Sequence, residues 1–305
     1  MTAAPYDLTR PRDVGGLLSR HHIRLTRQMG QHLLVDRDVL DRIVAAAGLA
    51  PDTEVLEVGP GVGALTAELS RAAGRVVAVE LDRRLVDVLR ETVPAANVEV
   101  VSGDALAVDL PSLFFGRPYR MVANLPYNVA TALLRRLLYL PAPRRPDELV
   151  VMLQREVARR LAARPGDMSR LSVEVQLVAD VELLFEVGPR SFLPAPEVAS
   201  AVVRLRPLAA PRVPTLPTER RFFHTVEAGF RHRRKQLHNA LGDLGVGSDR
   251  IGAALEESGI AGSRRAETLT LDEWSRLAGA LWTTGDAAEG GPAGAAGGSD
   301  GRDSP

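Results

Sequence analysis

Cysteine is absent from this chain of 305 residues. Its absence excludes disulfide bonds and thiolate metal ligands, and it fits a cytoplasmic protein because disulfides are rare in that compartment. No run of about 18 apolar residues occurs, so we expect no membrane span. Residues 1–7 also lack the basic and then apolar pattern of an export signal. We therefore expect a cytoplasmic protein.

Lysine is also scarce, and the net charge is zero. Lys235 is the only lysine, and 38 basic residues balance 38 acidic ones, which argues mildly against a nucleic-acid partner. The balance is uneven, because four acidic residues and one arginine follow Gly285 and leave a surplus of three positive charges in the preceding part. Nearly all the positive charge is arginine, which suits bidentate phosphate contacts. High-GC codon usage would produce the same bias.

The remaining composition is that of an ordinary globular protein, with 45% hydrophobic and 25% charged residues. The length allows two domains, and a proline-rich stretch at residues 207–217 predicts a boundary between them. We expect a basic and loose arm at 1–27, an α/β domain at 28–206, a small all-helical domain at 207–283, and a disordered acidic tail, rich in glycine and alanine, at 284–305.

The central motif is VLEVGPGVGALT at residues 55–66. It predicts a buried strand, a tight glycine turn and the start of a helix, and glycines let the main chain approach a ligand closely. Its G-x-G-x-G spacing differs from the G-x-G-x-x-G of dinucleotide sites. Glu80 ends the next apolar run, 21 positions after Gly59, where a carboxylate can accept both ribose hydroxyls. Together these features indicate an adenosine-type cofactor, with an unrelated strand-to-helix turn as the alternative.

Strands and helices alternate after residue 50, which predicts a Rossmann-like, doubly wound parallel sheet. Predicted strands lie at 54–58, 75–80, 98–102, 119–123 and 149–153, with two more strand-like runs at 172–178 and 201–205. Predicted helices lie at 38–47, 64–73, 83–92, 131–138 and 154–163. Glycine or polar residues end four successive strands: Gly59, Glu80, Asp104 and Asn124. Because this edge of an open α/β sheet is where ligands bind, we expect one site there.

Beyond the proline-rich stretch, the pattern predicts helices at 219–240, 249–257 and 271–281. The first of these carries four cations within five residues: Arg231, Arg233, Arg234 and Lys235. Such a cluster can neutralise phosphates, and a solvated basic helix face is the alternative interpretation.

A second motif, Asn124-Leu125-Pro126-Tyr127, follows the fourth strand. The exocyclic amine of an aromatic base is a poor nucleophile, because its lone pair is delocalised into the ring. An amide oxygen and a main-chain carbonyl in this turn could accept both amine hydrogens and direct the lone pair at an electrophile. The proline restricts the turn, and the tyrosine offers a face on which an extruded base can stack.

These motifs resemble the ribosomal RNA adenine dimethyltransferases, and in particular the bacterial small-subunit (16S) branch. The resemblance extends from about Arg27 to Leu281. It is carried by Met29-Gly-Gln31-His-Leu-Leu-Val-Asp36, Leu56-Glu-Val-Gly-Pro-Gly61, Val79-Glu-Leu-Asp82, Gly103-Asp-Ala-Leu106, the Asn-Leu-Pro-Tyr motif, Phe192-Leu-Pro-Ala-Pro-Glu-Val198, residues 230–239 and Arg265-Ala-Glu-Thr-Leu269. The related large-subunit enzymes usually carry Phe at the position of Tyr127 and Ala at that of Pro60.

The resemblance implies an S-adenosyl-L-methionine site and assigns residues to it. Its cofactor contacts would be His32, Leu34, Gly59, Gly61, Glu80, Leu81, Asp104, Ala105 and Asn124. Its catalytic turn would be Asn124, Leu125, Pro126 and Tyr127, with Tyr127 stacking on the target adenine and Phe192 forming the opposite wall. The family usually has Asn-Phe where this chain has His32-Leu33. Histidine can still donate a hydrogen bond, so we expect the site to survive without one aromatic contact at residue 33, and a purely structural role for His32 is the alternative.

The implied reaction is dimethylation of N6 of two adjacent adenosines in the hairpin near the 3′ end of 16S rRNA, within the assembling 30S subunit, by a monomer that needs no metal. The basic cluster would dock the RNA. Alternatives are methylation of large-subunit rRNA or of adenine in DNA, and a non-catalytic RNA- or ribosome-binding factor on the same fold. A nicotinamide oxidoreductase is disfavoured by the glycine spacing.

Overall fold

The computed structural model describes residues 6–25, 31–213, 219–232 and 234–282. Nine strands lie in these ranges, and seven of them form one sheet in the order β4-β3-β2-β5-β6-β9-β7. The first five strands of that order are parallel, and β9 is antiparallel to both β6 and β7. The strands are β1 (Leu33–Leu34), β2 (Glu54–Val58), β3 (Arg75–Glu80), β4 (Val98–Ser102), β5 (Arg120–Asn124), β6 (Glu148–Gln154), β7 (Ala179–Val187), β8 (Phe192–Leu193) and β9 (Ser200–Pro207).

The described helices cover both faces of the sheet and build the carboxyl-terminal part. They are α1 (Pro11–Arg20), α2 (Arg37–Ala47), α3 (Ala64–Ala72), α4 (Arg83–Thr92), α5 (Ala130–Leu138), α6 (Arg155–Leu161), α7 (Arg170–Gln176), α8 (Glu219–Arg231), α9 (Leu237–Ala240), α10 (Ser248–Glu257) and α11 (Leu271–Leu281). None of them is both long and apolar enough to cross a membrane.

The central strands are apolar on both faces because each face is covered. In β2, Val55 packs into one apolar cluster and Leu56 into another on the opposite side, and Val76 and Val77 of β3 divide in the same way. Successive side chains of a strand point to opposite faces, so a strand covered on both sides must be continuously hydrophobic. This burial explains why the apolar runs of the sequence locate the sheet.

Helix caps set where several elements begin and end. The Asp36 carboxylate accepts a hydrogen bond from the nitrogen of Val39 at the start of α2, which ends at Gly48 in the left-handed conformation. The Asp82 carboxylate caps α4 by accepting from the nitrogen of Arg84. Polar caps of this kind satisfy main-chain groups that the helix itself leaves unpaired, and the cap of α4 begins that helix directly after Glu80.

The structure confirms most predicted elements and corrects three. Residues 172–178 were predicted to be a strand because of their valines, but α7 occupies most of that segment, since the Ser169 and Ser172 side chains form a capping box. Residues 11–20 were expected to be loose and instead form α1, with Pro11 in its first turn and three buried apolar side chains. The predicted helix 219–240 ends at Arg231, and helix resumes at Leu237. The proposed domain boundaries remain predictions.

Candidate active site

The carboxyl ends of β2, β3, β4 and β5 meet at one cavity of about 190 Å³. This confirms that the four strand-ending residues lie together at one edge of the sheet. Of the residues singled out from the sequence, those that line the cavity are His32, Gly59, Gly61, Glu80, Leu81, Asp104, Ala105, Asn124, Leu125, Pro126 and Tyr127.

The floor of the cavity is the glycine turn after β2. Gly59 and Gly61 have φ of +70° and +61°, a region that favours glycine. A β-carbon on Gly61 would lie 2.6 Å from Cδ2 of Leu33, and one on Gly59 would lie 3.0 Å from the Pro126 ring. The turn therefore needs glycine for conformation and for space, and it leaves the main chain open to a ligand.

Glu80 is buried at the end of β3, with 6% of its surface exposed. Its carboxylate accepts hydrogen bonds from the nitrogens of Gly61, at 3.2 Å, and Asp82, at 2.9 Å. Burial raises the pKa of Glu80, while these main-chain donors oppose the rise. The side chain thus both holds the glycine turn and lines the cavity. Its remaining lone pairs can accept hydrogen bonds from the hydroxyl groups of a ligand.

Leu81, Asp104 and Ala105 form one side of the cavity. Leu81 is 57% exposed and presents apolar surface to the cavity that it lines. Asp104 is exposed, and its Oδ1 atom accepts a hydrogen bond from the nitrogen of Leu106 at 2.8 Å. An apolar surface beside a fixed carboxylate suits a flat ring that carries an amine.

Asn124 has a fixed orientation at the end of β5. Its Nδ2 atom donates to the main-chain carbonyl of His32 at 3.1 Å, so Oδ1 is the end of the amide left to accept from a ligand. The nitrogen of Leu125 donates to the carbonyl of Met152, whereas the Leu125 carbonyl accepts no hydrogen bond from any described residue. The turn therefore presents two acceptors, one from a side chain and one from the main chain.

Tyr127 is half-buried and held at two points. Its hydroxyl lies 2.7 Å from Oγ of Ser200, and its ring centroid lies 5.7 Å from that of His32, with the planes tilted by 31°. Burial raises the pKa of Tyr127, so the phenol stays neutral. The ring is thereby fixed beside the acceptors of Asn124 and Leu125.

Leu34 and Phe192 do not line the main cavity. They oppose each other in the two-stranded pairing of β1 with β8, and each is 4% exposed. Leu34 borders a smaller adjoining cavity, while Phe192 packs in an apolar cluster with Val187. Phe192 is thus buried beside the site and does not border the main cavity, and its expected role as a wall opposite Tyr127 stays a prediction.

Glu57 is a site residue that the sequence reasoning did not single out. It is 2% exposed and lines the small cavity together with His32 and Asn124. Its Oε2 atom has no hydrogen-bond partner among the described residues, and neither does Oγ1 of Thr66. Burial raises the pKa of Glu57 to about 8; the Thr66 hydroxyl lies close enough to oppose the rise without meeting hydrogen-bond geometry, and the nearby Glu80 adds to it. The one signal available was an acidic residue inside an apolar strand, since such residues are rarely buried without a partner.

The predicted basic cluster lies at the end of α8 and in the loop after it. Arg231 is paired with Asp243 at 3.3 Å, and Arg233 lies outside the described residues. Arg234 and Lys235 are exposed and form no ion pair with any described residue. The described residues contain no group of histidine and acidic side chains arranged to hold a metal.

The sheet, its antiparallel edge and the cavity at the strand ends define a class I methyltransferase fold, and two solved methyltransferase structures share it. One is the 23S rRNA methyltransferase ErmE, with a TM-score of 0.65 and 32% identity over 81% of this chain and 98% of that one. The other is a dimethyladenosine transferase from Plasmodium falciparum, with a TM-score of 0.65 and 25% identity over 81% of this chain and 96% of that one.

The chain belongs to the ribosomal RNA adenine dimethylase family, whose model matches residues 23–281. Two of its relatives carry the name ribosomal RNA small subunit methyltransferase A. The one from Dehalococcoides mccartyi is 41% identical over 86% of this chain and 90% of its own length. The one from Geobacter metallireducens is 44% identical over 86% of this chain and 98% of its own length.

Proposed function

We propose that this protein transfers methyl groups from S-adenosyl-L-methionine to N6 of two adjacent adenosines near the 3′ end of 16S rRNA. The family membership makes it an rRNA adenine dimethyltransferase, and the relatives named for the small subunit support 16S rRNA as its substrate. The assembling 30S subunit is the proposed form of that substrate, with the protein acting as a monomer in the cytoplasm.

The orientation of Asn124 is the observation that carries the proposal. Because Nδ2 donates to the His32 carbonyl, Oδ1 is directed as an acceptor for one amine hydrogen, and the Leu125 carbonyl can accept the other. Two acceptors on one amine favour a pyramidal nitrogen whose lone pair is free to attack. These groups contribute by positioning and electrostatics rather than by covalent chemistry.

The residues present fit S-adenosyl-L-methionine. Glu80 offers carboxylate oxygens for the ribose, Asp104 can accept from the adenine amine beside Leu81, and the glycine turn leaves room for the main chain to approach the ligand. The buried carboxyl of Glu57 borders the adjoining cavity, where its Oε2 atom can form a hydrogen bond with a polar group of the cofactor. S-adenosyl-L-methionine supplies a methyl group bound to a sulfonium sulfur. After the transfer, the rest of the cofactor is released as a neutral thioether.

Tyr127 provides the surface for the target base. A base must leave its stack to reach such a cavity, and a fixed aromatic face compensates for part of that cost, about 1–3 kcal/mol per base. The hydrogen bond to Ser200 keeps the ring in place. The same pocket must accept an adenine that already carries one methyl group, since two transfers occur on each base.

Large-subunit rRNA is the second candidate substrate, because the ErmE structure shares the fold at 32% identity. The experiment that separates the candidates uses 30S and 50S subunits from a strain lacking this methylation, with radiolabelled S-adenosyl-L-methionine. We expect N6,N6-dimethyladenosine in 16S rRNA alone, and loss of the label with Asn124→Ala and Tyr127→Ala. Label in 23S rRNA would move the assignment to the large subunit. Cofactor binding without label in either RNA would contradict the proposed substrate, and a failure to bind the cofactor would favour a non-catalytic factor.

A further inference from the structure

A closed circuit of contacts joins the segment before β1, the Asn-Leu-Pro-Tyr turn and residues 194–200. Nδ1 of His32 lies 2.8 Å from the main-chain oxygen of Pro194, and because a carbonyl can only accept, Nδ1 carries the proton. The His32 ring contacts the ring of Tyr127. The Tyr127 hydroxyl in turn forms a hydrogen bond with Ser200. Ser200 lies in the same segment as Pro194, so the contacts form a closed loop.

His32 touches both functional residues of the turn, by different means. Its main-chain carbonyl accepts from Asn124, a contact that any residue at this position can make. Its side chain contacts Tyr127 at a centroid distance of 5.7 Å, a contact that needs a ring. The next residue, Leu33, approaches Gly61 instead, so the two neighbours serve different sides of the cavity.

We propose that the His32 imidazole is a positioning residue for the target base, holding the Tyr127 ring in the orientation in which it stacks on the adenine. This inference rests on the proposed function, and it differs from the expectation that the imidazole contacts the cofactor. The ring is the specific requirement, because it contacts the Tyr127 ring itself, whereas Ser200 holds only the hydroxyl. Without this contact, the tyrosine side chain pivots about that one hydrogen bond.

Two substitutions at His32 test the contribution of the ring and that of its hydrogen bond separately. His32→Phe keeps a ring and removes the Nδ1 donor, whereas His32→Asn keeps a possible donor to Pro194 and removes the ring. The measurements are kcat and KM for methylation of undermethylated 30S subunits, and the Kd of S-adenosyl-L-methionine by calorimetry. His21→Asn is the matched control, since His21 pairs with Glu91 on an exposed surface.

We expect His32→Asn to lower kcat/KM for 30S subunits about tenfold, in line with the loss of one aromatic pair, with the cofactor Kd changed less than about twofold. His32→Phe should stay within about threefold of the natural protein, as should His21→Asn. The proposal is overturned if His32→Asn is as active as the natural protein, or if both His32 variants lose activity equally. It is also overturned if the cofactor Kd rises in step with the loss.

A direct readout of Tyr127 needs no methylation and so separates this inference from the proposed function. The chain has four tyrosines, so the fluorine NMR spectrum of protein labelled with 3-fluorotyrosine should contain four signals, with that of Tyr127 assigned by Tyr127→Phe. We expect His32→Asn to shift or broaden the Tyr127 signal, and His32→Phe and His21→Asn to preserve its width. An unchanged signal in folded His32→Asn would overturn the proposal, whereas inactivity of the natural protein on 30S subunits would count only against the proposed function.

Discussion

The Oε2 atom of Glu80 accepts a hydrogen bond from the main-chain nitrogen of Gly61, 3.2 Å away. The carboxylate proposed to bind the ribose is therefore also the group that holds the glycine turn. Cofactor affinity and the geometry of the turn are coupled through this one side chain. A substitution at residue 80 should consequently affect binding and stability together.

Glu80→Ala should raise the Kd of S-adenosyl-L-methionine more than about tenfold and lower the free energy of unfolding by about 1–3 kcal/mol. The stability loss follows because two buried main-chain nitrogens, those of Gly61 and Asp82, lose their acceptor. Calorimetry and urea denaturation measure the two effects. Glu156→Ala is the control, because it removes only an exposed helical ion pair with Arg160, worth at most about 1 kcal/mol. Unchanged stability in Glu80→Ala would show that the hydrogen bonds do not support the turn.

Gly61→Ala should destabilise the protein by about 1–3 kcal/mol, because it places a side chain at a φ of +61° and 2.6 Å from Cδ2 of Leu33. In a Leu33→Ala background, which removes the clash and carries its own cost for truncating a buried side chain, Gly61→Ala should cost less than in the natural protein, because only the conformational strain remains. Gly252→Ala is the matched control, since it lies within α10 with no atom near the new β-carbon, and it should stabilise the helix by up to about 1 kcal/mol. Thermal and urea unfolding of the natural protein, the three single variants and the double variant test this ordering.

Glu57→Gln should become progressively more stable than the natural protein as the pH rises. Folded Glu57 has a pKa of about 8 against an ordinary value of 4.5, so between these values the unfolded chain releases a proton that the folded chain keeps. The stability contributed by the neutral carboxyl is complete below about pH 4.5 and is lost as the pH rises through about 8. Glutamine cannot ionise and avoids that loss.

Urea denaturation at about pH 5, 7 and 9 measures the difference between the two proteins. It should be small at pH 5, larger at pH 7 and largest at pH 9. Glu156→Gln serves as the control, because Glu156 is exposed and its difference from the natural protein should not grow in this way. A difference for Glu57→Gln that is constant across the three pH values would mean that the buried carboxyl is ionised in the folded state.

Much of the sheet and its ligand edge could be predicted from the sequence, because apolar runs and the polar residues that end them are local signals. The strands at 54–58, 75–80 and 98–102 have the predicted bounds. The prediction of a strand at 172–178 was wrong. It followed the preference of valine for strands, whereas the helix is stabilised at its start by hydrogen bonds between the Ser169 and Ser172 side chains and the main chain. In this segment the capping interaction outweighs the strand propensity of the valines.

The site was harder to predict where it depends on contacts between distant segments. The burial of Phe192 follows from pairing with Leu34, about 160 positions away, and no local pattern reveals that pairing. The contact of His32 with Tyr127 and the burial of the Glu57 carboxyl also arise only when β1, β2 and β5 are brought together. Residue types could be assigned from motifs, but their orientations could not.

Arg234 and Lys235 should contribute to RNA affinity through phosphate contacts. They are exposed and form no ion pair with a described residue, whereas Arg231 is paired with Asp243. Each phosphate contact that is lost should reduce the slope of log K against log salt by about 1 and weaken binding to different RNA sequences about equally. Arg234→Ala and Lys235→Ala should each reduce the slope by about that amount.

Binding of a 16S hairpin measured by fluorescence anisotropy at several salt concentrations tests this expectation. Arg231→Ala is the control within the same cluster, because its charge is already partly compensated by Asp243 and its removal should change the slope less. The affinity for S-adenosyl-L-methionine should be the same in all three variants, since none of these residues lines the cavity. Equal salt-dependence slopes in all the proteins would show that Arg234 and Lys235 remain solvated in the complex and do not contact the RNA. RNA docking would then have to depend on another surface.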